Sequence, residues 1–231
     1  MSIINDICDN IFSRGCIVCG SELFADHIPL CRSCYHNLYF TGTDICGHCG
    51  RPAAGSPSQC AECAGLMADR VRGVVKYNRY SGALIKAFKY TGMMQYGIYM
   101  AGLMTEAGSQ HSIFEGTDCI TYIPFDYFAR HNHLYNHSAV LASVISEMTG
   151  IPVAGDLLTS RIKIIPQAKL PSAIRLRRPA IFKPGHGICS DRNILIIDDV
   201  MTTGRTISEA SYLLKTIKGA GTVNALVFAI S

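Results

Sequence analysis

Two adjacent aspartates near the C-terminus are the first residues whose types and spacing point to chemistry. Asp198 and Asp199 follow four apolar residues and precede a run of small hydroxyl residues. Ionised carboxylates only accept hydrogen bonds, so this pair suits the 2′- and 3′-hydroxyls of a ribose. We predict that both acids are catalytic residues that hold a sugar. The alternative is a polar turn that only joins two elements.

The segment after the acids has the composition of a phosphate-binding loop. It precedes a predicted helix, where free backbone N–H groups and the helix dipole attract an anion. Glycine allows close backbone approach, and threonine hydroxyls can donate to phosphate oxygens. The predicted phosphate-binding residues are Thr202, Thr203, Gly204, Arg205 and Thr206.

Eight of the eleven cysteines form four pairs with C-x-x-C spacing. Four such pairs in succession, in a chain without an export signal, are typical of zinc ribbons rather than of disulfides. The zinc has a predicted structural role, because four thiolates leave no coordination position open. A crossed arrangement of the pairs stays open beside the sequential one. In sequential order the ligands are Cys16, Cys19, Cys31 and Cys34, then Cys46, Cys49, Cys60 and Cys63.

Composition excludes several classes of protein. The 231 residues are 48% hydrophobic and 16% charged, which is ordinary for a soluble globular protein. No apolar run reaches the length of a membrane span. The first fifteen residues, MSIINDICDNIFSRG, lack the basic start of a signal peptide. We therefore expect a cytoplasmic protein.

Positive charge is concentrated in residues 161–192, which hold eight basic residues against one acidic residue. Four prolines and weak periodicity predict a long loop or an irregular hairpin. Just before an anion-binding strand, such a loop would focus positive potential on the cleft, where it could hold pyrophosphate or follow single-stranded DNA. The alternative is a solvated surface run. The predicted pyrophosphate- or DNA-binding residues are Lys89, Arg130, Arg175, Arg177 and Arg178.

The elements that must position these residues divide near residue 70. Residues 1–70 are rich in cysteine and turns, whereas residues 71–231 alternate predicted strands and helices. We expect helices at 81–92, 95–107 and 138–150 and a further helix after the phosphate loop. Strands are expected at RGVVKY, at 118–125, before the paired acids and at the C-terminus. This alternation predicts an α/β fold with a parallel sheet and helices on both faces, whose ligands lie beyond the carboxyl ends of the strands.

The motif ILIIDDVMTTGRT, residues 194–206, resembles the 5-phosphoribosyl-1-pyrophosphate signature of type I phosphoribosyltransferases. This resemblance implies a type I phosphoribosyltransferase-like fold. It also implies phosphoribosyl pyrophosphate, with Mg²⁺, as the ligand.

The whole chain resembles the ComF family, also described as competence protein F or GntX-like. The knuckles CIVCG and CGHCG, the segment YSGALIKAFKYTG and the P-Q-x-x-L motif starting at Pro166 carry this resemblance. It implies an N-terminal double zinc-ribbon domain. The chain departs from the family in the loop IPFDYFARHNHLYNHS, where His131 and His133 stand in place of arginines. Because histidine is mostly neutral at pH 7, a weaker or pH-dependent grip on pyrophosphate is expected.

Three hypotheses follow. The favoured one, implied by the family resemblance, is a protein that binds phosphoribosyl pyrophosphate or a related ribose phosphate and acts in DNA uptake during natural transformation. Its partners would be single-stranded DNA and other DNA-uptake proteins, the latter contacted through the zinc module. The alternative is an active phosphoribosyltransferase that transfers phosphoribosyl to a nitrogenous acceptor and releases pyrophosphate. The third is a ligand-sensing regulator, which ranks last because no helix-turn-helix is evident.

Overall fold

The computed structural model describes residues 15–23, 25, 27–55, 58–125, 135–161 and 180–231. Its helices are α1 (Arg32–His36), α2 (Arg79–Tyr90), α3 (Met94–Gln110), α4 (His137–Thr149) and α5 (Arg205–Tyr212), the last continued by a π-helical turn at Leu213–Ile217. Its strands are β1 (Arg70–Lys76), β2 (Cys119–Tyr122), β3 (Leu158–Ser160), β4 (Phe182–Pro184), β5 (Ile194–Met201) and β6 (Val223–Ile230).

Four parallel strands form the main sheet, in the order β1–β6–β5–β2. The central strands β5 and β6 are buried along nearly their whole length, as apolar runs without alternation predict for a parallel sheet covered on both faces. Strands β3 and β4 pair antiparallel in a separate two-stranded sheet.

The side chains of β5 divide between two hydrophobic clusters, because successive residues of a strand point to opposite faces. Leu195 and Ile197 lie in the cluster formed with α2, α3 and α4. Ile194 and Ile196 lie in the cluster formed with α5 and the β3–β4 pair. The predicted α/β fold with helices on both faces of a parallel sheet is therefore confirmed.

Local sequence sets the helix ends. Helix α2 begins at Arg79, because the Asn78 side chain accepts hydrogen bonds from the N–H groups of Tyr80 and Ser81. The predicted start at Ser81 is wrong, because this serine is the third helical residue and its hydroxyl completes a capping box with Asn78. Gly150 ends α4 with φ +75°, as predicted for a glycine stop. The strand predicted at 118–125 is shorter, since β2 ends at Tyr122.

The first cysteine-rich segment packs into the same core as the α/β region. Leu30 and Leu38 are fully buried and belong to one cluster with Val74 and Val75 of β1. Phe40 forms an antiparallel bridge with Val75. Residues on both sides of position 70 thus share a core, and the division into two domains stays a prediction. None of the described helices is long and apolar enough to cross a membrane.

Candidate functional site

The carboxyl end of β5 carries the two predicted ribose-binding acids. Asp198 and Asp199 are both buried, 7% and 8% exposed. The chain then passes through the exposed residues Thr202 and Thr203 and enters α5 after Gly204. The predicted strand–loop–helix unit is therefore present, with the acids and the loop adjacent at one edge of the sheet.

The loop at 202–204 presents hydrogen-bond donors at the start of a helix. Gly204 has φ +76°, a left-handed conformation that residues with a Cβ adopt at a cost. In the part of the chain that the structure describes, the N–H groups of Thr203 and Gly204 donate to no acceptor. Together with the positive end of the α5 dipole, these donors form a site suited to an anion. Arg205 and Thr206, in the first turn of α5, are partly buried beside it.

Asp198 is held by two hydrogen bonds to a single oxygen. Its Oδ1 atom accepts from the Ser138 hydroxyl at 2.9 Å and from the Asp199 N–H at 3.0 Å. Burial, together with the negative charge of Asp199, raises the pKa of Asp198 to about 8, although the Ser138 hydrogen bond opposes this shift. A carboxyl group in this environment can exchange a proton near neutral pH.

Lys89 lies beside the paired acids Asp198 and Asp199. Its ammonium forms an ion pair with Asp199 Oδ2. Lys89 was predicted to hold the pyrophosphate, a role that remains a prediction; in this structure it contacts Asp199, one of the two acids predicted to bind ribose. A sugar that used Asp199 would have to share it with Lys89 or displace the ammonium.

The segment that returns from β2 to α4 is anchored beside this site. Asn136 caps α4 by accepting from the Ala139 N–H at 3.3 Å, and its amide donates to the Ile123 carbonyl at 3.1 Å. The Tyr135 hydroxyl donates to the Phe88 carbonyl at 3.1 Å. Tyr135 and Asn136 therefore fix the C-terminal end of the histidine-bearing loop. His131, His133 and the predicted ligand Arg130 lie outside the described residues.

The eight predicted cysteines form two clusters in sequential order. In each, the four sulfurs lie within 4.8 Å of one another. The Sγ–Sγ distance is 3.5 Å for Cys49–Cys60 and 3.9 Å for Cys46–Cys63. Four sulfurs about 2.3 Å from one tetrahedral zinc lie about 3.8 Å apart, so both clusters fit the ion. The first cluster contains Cys16, Cys19, Cys31 and Cys34, and the second contains Cys46, Cys49, Cys60 and Cys63.

The environment of Cys19 favours the thiolate that zinc requires. Hydrogen bonds from the side chain and backbone of Ser21 lower the pKa of Cys19 to about 6. Bound zinc would supply a structural cross-link here and no chemistry on a substrate, because all four coordination positions are filled by thiolates. His48 is not a ligand: its Nε2 atom lies 2.7 Å from the Ala68 carbonyl oxygen.

The basic segment is attached next to the phosphate loop. Strand β3, just before the segment, pairs antiparallel with β4, which lies within it, and this pairing agrees with the predicted hairpin. Glu209 of α5 accepts hydrogen bonds from the N–H groups of Ile181 and Phe182, the latter at 2.8 Å. The C-terminal part of the segment is thus fixed to the helix that begins at the loop. The predicted ligands Arg175, Arg177 and Arg178 lie outside the described residues.

A cavity of about 310 Å³ lies elsewhere, between Phe40–Thr43 and helix α3. None of its lining residues belongs to the phosphate loop or to the paired acids. The candidate site is therefore distinct from this cavity.

Three residues at the site were missed by sequence reasoning. Ser138 holds Asp198, Arg51 donates to the Thr202 carbonyl, and Leu66 lies against Gly204. Of these three residues, only Arg51 could have been identified from the sequence, because it directly follows the glycine of a zinc knuckle. Ser138 lies at the start of a helix and Leu66 lies near a turn, where such residues are common. Both are far along the chain from the residues they contact, so the sequence does not indicate their role.

Comparison with known proteins gives a consistent result. Residues 7–64 match the double zinc ribbon domain family. The chain is 24% identical over 215 residues to competence protein F of Haemophilus influenzae, covering 89% of this chain and 93% of the relative. It is 24% identical over 217 residues to competence protein ComFC of Bacillus subtilis, covering 90% and 87%. A purine phosphoribosyltransferase from Pyrococcus horikoshii superposes with a TM-score of 0.38 and 18% identity, over 57% of this chain and 74% of the other.

The parallel sheet, the loop after the paired acids and the two cysteine clusters define an α/β protein with an N-terminal double zinc ribbon. Both competence proteins match nearly the whole of this chain, across both regions. The resemblance to the ComF family that the sequence motifs indicated is therefore confirmed.

Proposed function

We propose that the protein binds phosphoribosyl pyrophosphate or a related ribose phosphate at the carboxyl end of β5, and that it acts on single-stranded DNA in DNA uptake. The observation that carries the proposal is the loop at Thr202–Gly204, which follows two buried acids and precedes α5, and whose Thr203 and Gly204 N–H groups have no acceptor among the described residues. The names of its relatives support the role in competence.

The terminal phosphate would lie against the N–H groups of Thr203 and Gly204. A dianionic phosphate there would accept hydrogen bonds from the loop and would be attracted to the positive end of the helix dipole. This binding does not require a cation in direct contact with the phosphate. The hydroxyls of Thr202 and Thr203 are exposed and available as further donors.

The ribose would be bound by Asp199 and Asp198. Asp198 already has one oxygen occupied by Ser138 and the Asp199 N–H, which orients the carboxyl group. Asp199 is paired with Lys89, so a ribose hydroxyl would share or replace that ion pair. Mg²⁺ would accompany phosphoribosyl pyrophosphate as its counter-ion.

DNA binding is assigned to the basic segment. Ile181 and Phe182, in its C-terminal part, donate to Glu209 of α5, the helix that begins at the proposed phosphate loop. Contacts from arginine to the strand backbone depend on salt because each one releases counter-ions.

The binding proposal is tested by calorimetry with phosphoribosyl pyrophosphate and Mg²⁺, and separately with ribose 5-phosphate. Heat with both ligands supports it, and heat with phosphoribosyl pyrophosphate alone shows that pyrophosphate is needed for binding. Absence of heat with either ligand at millimolar concentration would overturn it.

The DNA proposal is tested by fluorescence anisotropy of a labelled single-stranded oligonucleotide at several salt concentrations. Replacing Arg175, Arg177 and Arg178 by Gln should weaken binding and reduce the slope of log K against log salt by about 2, since each lost contact accounts for about 0.7. Replacing the exposed Lys86 and Arg32 by Gln is the control and should leave the slope unchanged. If the two sets of substitutions weaken DNA binding equally, binding depends on the overall positive charge of the protein rather than on the three arginines.

The alternative function, phosphoribosyl transfer, predicts pyrophosphate release with a nitrogenous acceptor. Positioning and charge stabilisation at the same site would supply the catalysis. A panel of bases and amines, with Asp198→Ala as the inactive control, decides between binding and turnover.

A further inference from the structure

The second zinc ribbon lies directly against the proposed phosphate loop. The ribbon is seated on β1, where the Val71 N–H donates to the His48 carbonyl at 2.7 Å. The buried guanidinium of Arg72 donates to the Gly47 carbonyl at 3.0 Å. His48 and Gly47 lie between the ligands Cys46 and Cys49, so these bonds attach the zinc knuckle itself to the end of the sheet.

Arg51 connects this knuckle to the loop. Its backbone is part of the knuckle, because its carbonyl accepts from the Cys46 N–H at 2.8 Å. Its side chain is 11% exposed, and Nη2 donates to the Thr202 carbonyl at 2.5 Å while Nε donates to the Ser231 carbonyl at 3.1 Å. One guanidinium thus joins the ends of the two central strands, β5 and β6.

Two further contacts lie on the same side. A Cβ at Gly204 would stand 3.2 Å from Leu66 Cδ1, so the ribbon limits the space beside the glycine. The Met67 N–H donates to the Ser208 hydroxyl at 3.3 Å. The loop and the first turn of α5 are therefore contacted by residues on both sides of the last zinc ligand pair.

The contact at Thr202 determines where the loop presents its next donor. In a planar trans peptide, the carbonyl of one residue and the N–H of the next point in opposite directions. When Arg51 holds the Thr202 carbonyl towards the ribbon, the Thr203 N–H points away from it. This N–H has no acceptor within the described residues and is one of the donors proposed for the phosphate.

We propose that Arg51 is a positioning residue for the ribose-phosphate site, through which the second zinc ribbon fixes the peptide plane between Thr202 and Thr203. The inference rests on the proposed function for the identity of the ligand. The ordering of the loop by Arg51 is independent of that function. The first ribbon has no comparable contact: within the described residues, its Cys16, Cys31 and Cys34 pack with the cluster on the α2–α4 side.

The test compares Arg51→Met with Arg32→Met in the full-length zinc-bound protein. Arg32 is the matched control, because it directly follows the zinc ligand Cys31 but is exposed. Four quantities are measured: zinc content, melting temperature, amide hydrogen exchange of residues 202–208 without ligand, and affinity for ribose 5-phosphate. Zinc content and melting temperature separate the positioning effect from loss of the fold.

Arg51→Met should speed exchange at residues 202–208 and weaken ribose 5-phosphate about tenfold, the loss expected for one charged hydrogen bond, while zinc content stays at the wild-type level. Arg32→Met should change neither. Unchanged exchange and affinity in Arg51→Met would overturn the proposal, as would a lower melting temperature with unchanged affinity.

Arg51→Lys covers the case in which Arg51→Met does not fold. Lysine keeps the charge but cannot reach both carbonyls with a planar fork, so exchange and affinity should lie between those of the wild type and the Met variant. If Arg51→Lys has the exchange rates and the affinity of the wild type, the planar guanidinium of Arg51 is not needed to hold the loop. If the wild type itself does not bind ribose 5-phosphate, the proposed function fails, and the exchange result alone decides whether Arg51 orders the loop.

Discussion

Lys89, in the last turn of α2, forms an ion pair with Asp199 at the carboxyl end of β5. The two side chains are 28% and 11% exposed, so the pair is largely removed from water. The pair balances the charge of one of two neighbouring acids. The other, Asp198, is held by Ser138 and has a raised pKa.

Removing Lys89 should destabilise the fold, because Asp199 would keep its buried charge without a partner. We expect Lys89→Met to lower the free energy of unfolding by about 2 kcal/mol, less than for a fully buried pair because Lys89 reaches solvent. Urea denaturation measures this loss. Lys86→Met, at an exposed position of the same helix, is the control and should be nearly neutral. Equal losses in the two variants would show that the ion pair contributes nothing specific.

Asp198 should make stability depend on pH. Its folded pKa, about 8, is above the ordinary value of 3.8, so the folded state binds the extra proton between these values. The stabilisation linked to this proton is complete below pH 3.8 and is lost as pH rises towards 8. Asp198→Asn should therefore show a smaller decrease in unfolding free energy between pH 5 and 8 than the wild type.

Denaturation at a series of pH values measures this difference. Glu147→Gln, which neutralises an exposed carboxylate on α4, should keep the wild-type slope. A wild-type slope in Asp198→Asn would mean that Asp198 is ionised throughout this pH range.

A side chain at Gly204 should affect stability and ligand binding together. Gly204→Ala imposes a left-handed conformation on alanine, at a cost of about 1 kcal/mol, and places a methyl group against Leu66. Gly219→Ala is the matched control, since Gly219 also has positive φ, +70°, but lies beyond α5. Both variants should melt earlier, and calorimetry should show weaker ribose 5-phosphate binding for Gly204→Ala alone. Wild-type affinity in Gly204→Ala would argue against phosphate binding at this loop.

The cysteine pairing can be tested by metal content. Elemental analysis of the purified protein should give two zinc ions per chain, one for each cluster. The double variant Cys16→Ser with Cys34→Ser should retain one zinc, because both residues belong to the first cluster. In a crossed arrangement the two substitutions would disrupt both sites, and no zinc would remain. Chelation should also lower the melting temperature, because Leu30 and Leu38 of the first ribbon are part of the core.

Local patterns in the sequence were sufficient to predict the individual structural units of this protein. The apolar run before Asp198 and the helical spacing after Gly204 predicted the strand–loop–helix unit. Both are local patterns, because the spacing of buried residues and the turn-forming residues determine structure within a few positions. The C-x-x-C spacing likewise predicted both zinc clusters, since a knuckle is a local structure. The start of α2 was misplaced because Asn78 and Ser81 both suit a helix cap and spacing alone did not choose between them.

Only the tertiary structure decided which of these units meet. Arg51 and Thr202 are 151 positions apart, Lys89 and Asp199 belong to different elements, and Ser138 reaches Asp198 across 60 positions. Such contacts depend on how the sheet is ordered and how the ribbons pack against it, and no periodicity in the chain records them. The sequence by itself therefore determined the chemical groups of the site, and packing determined their charge partners and the support of the loop.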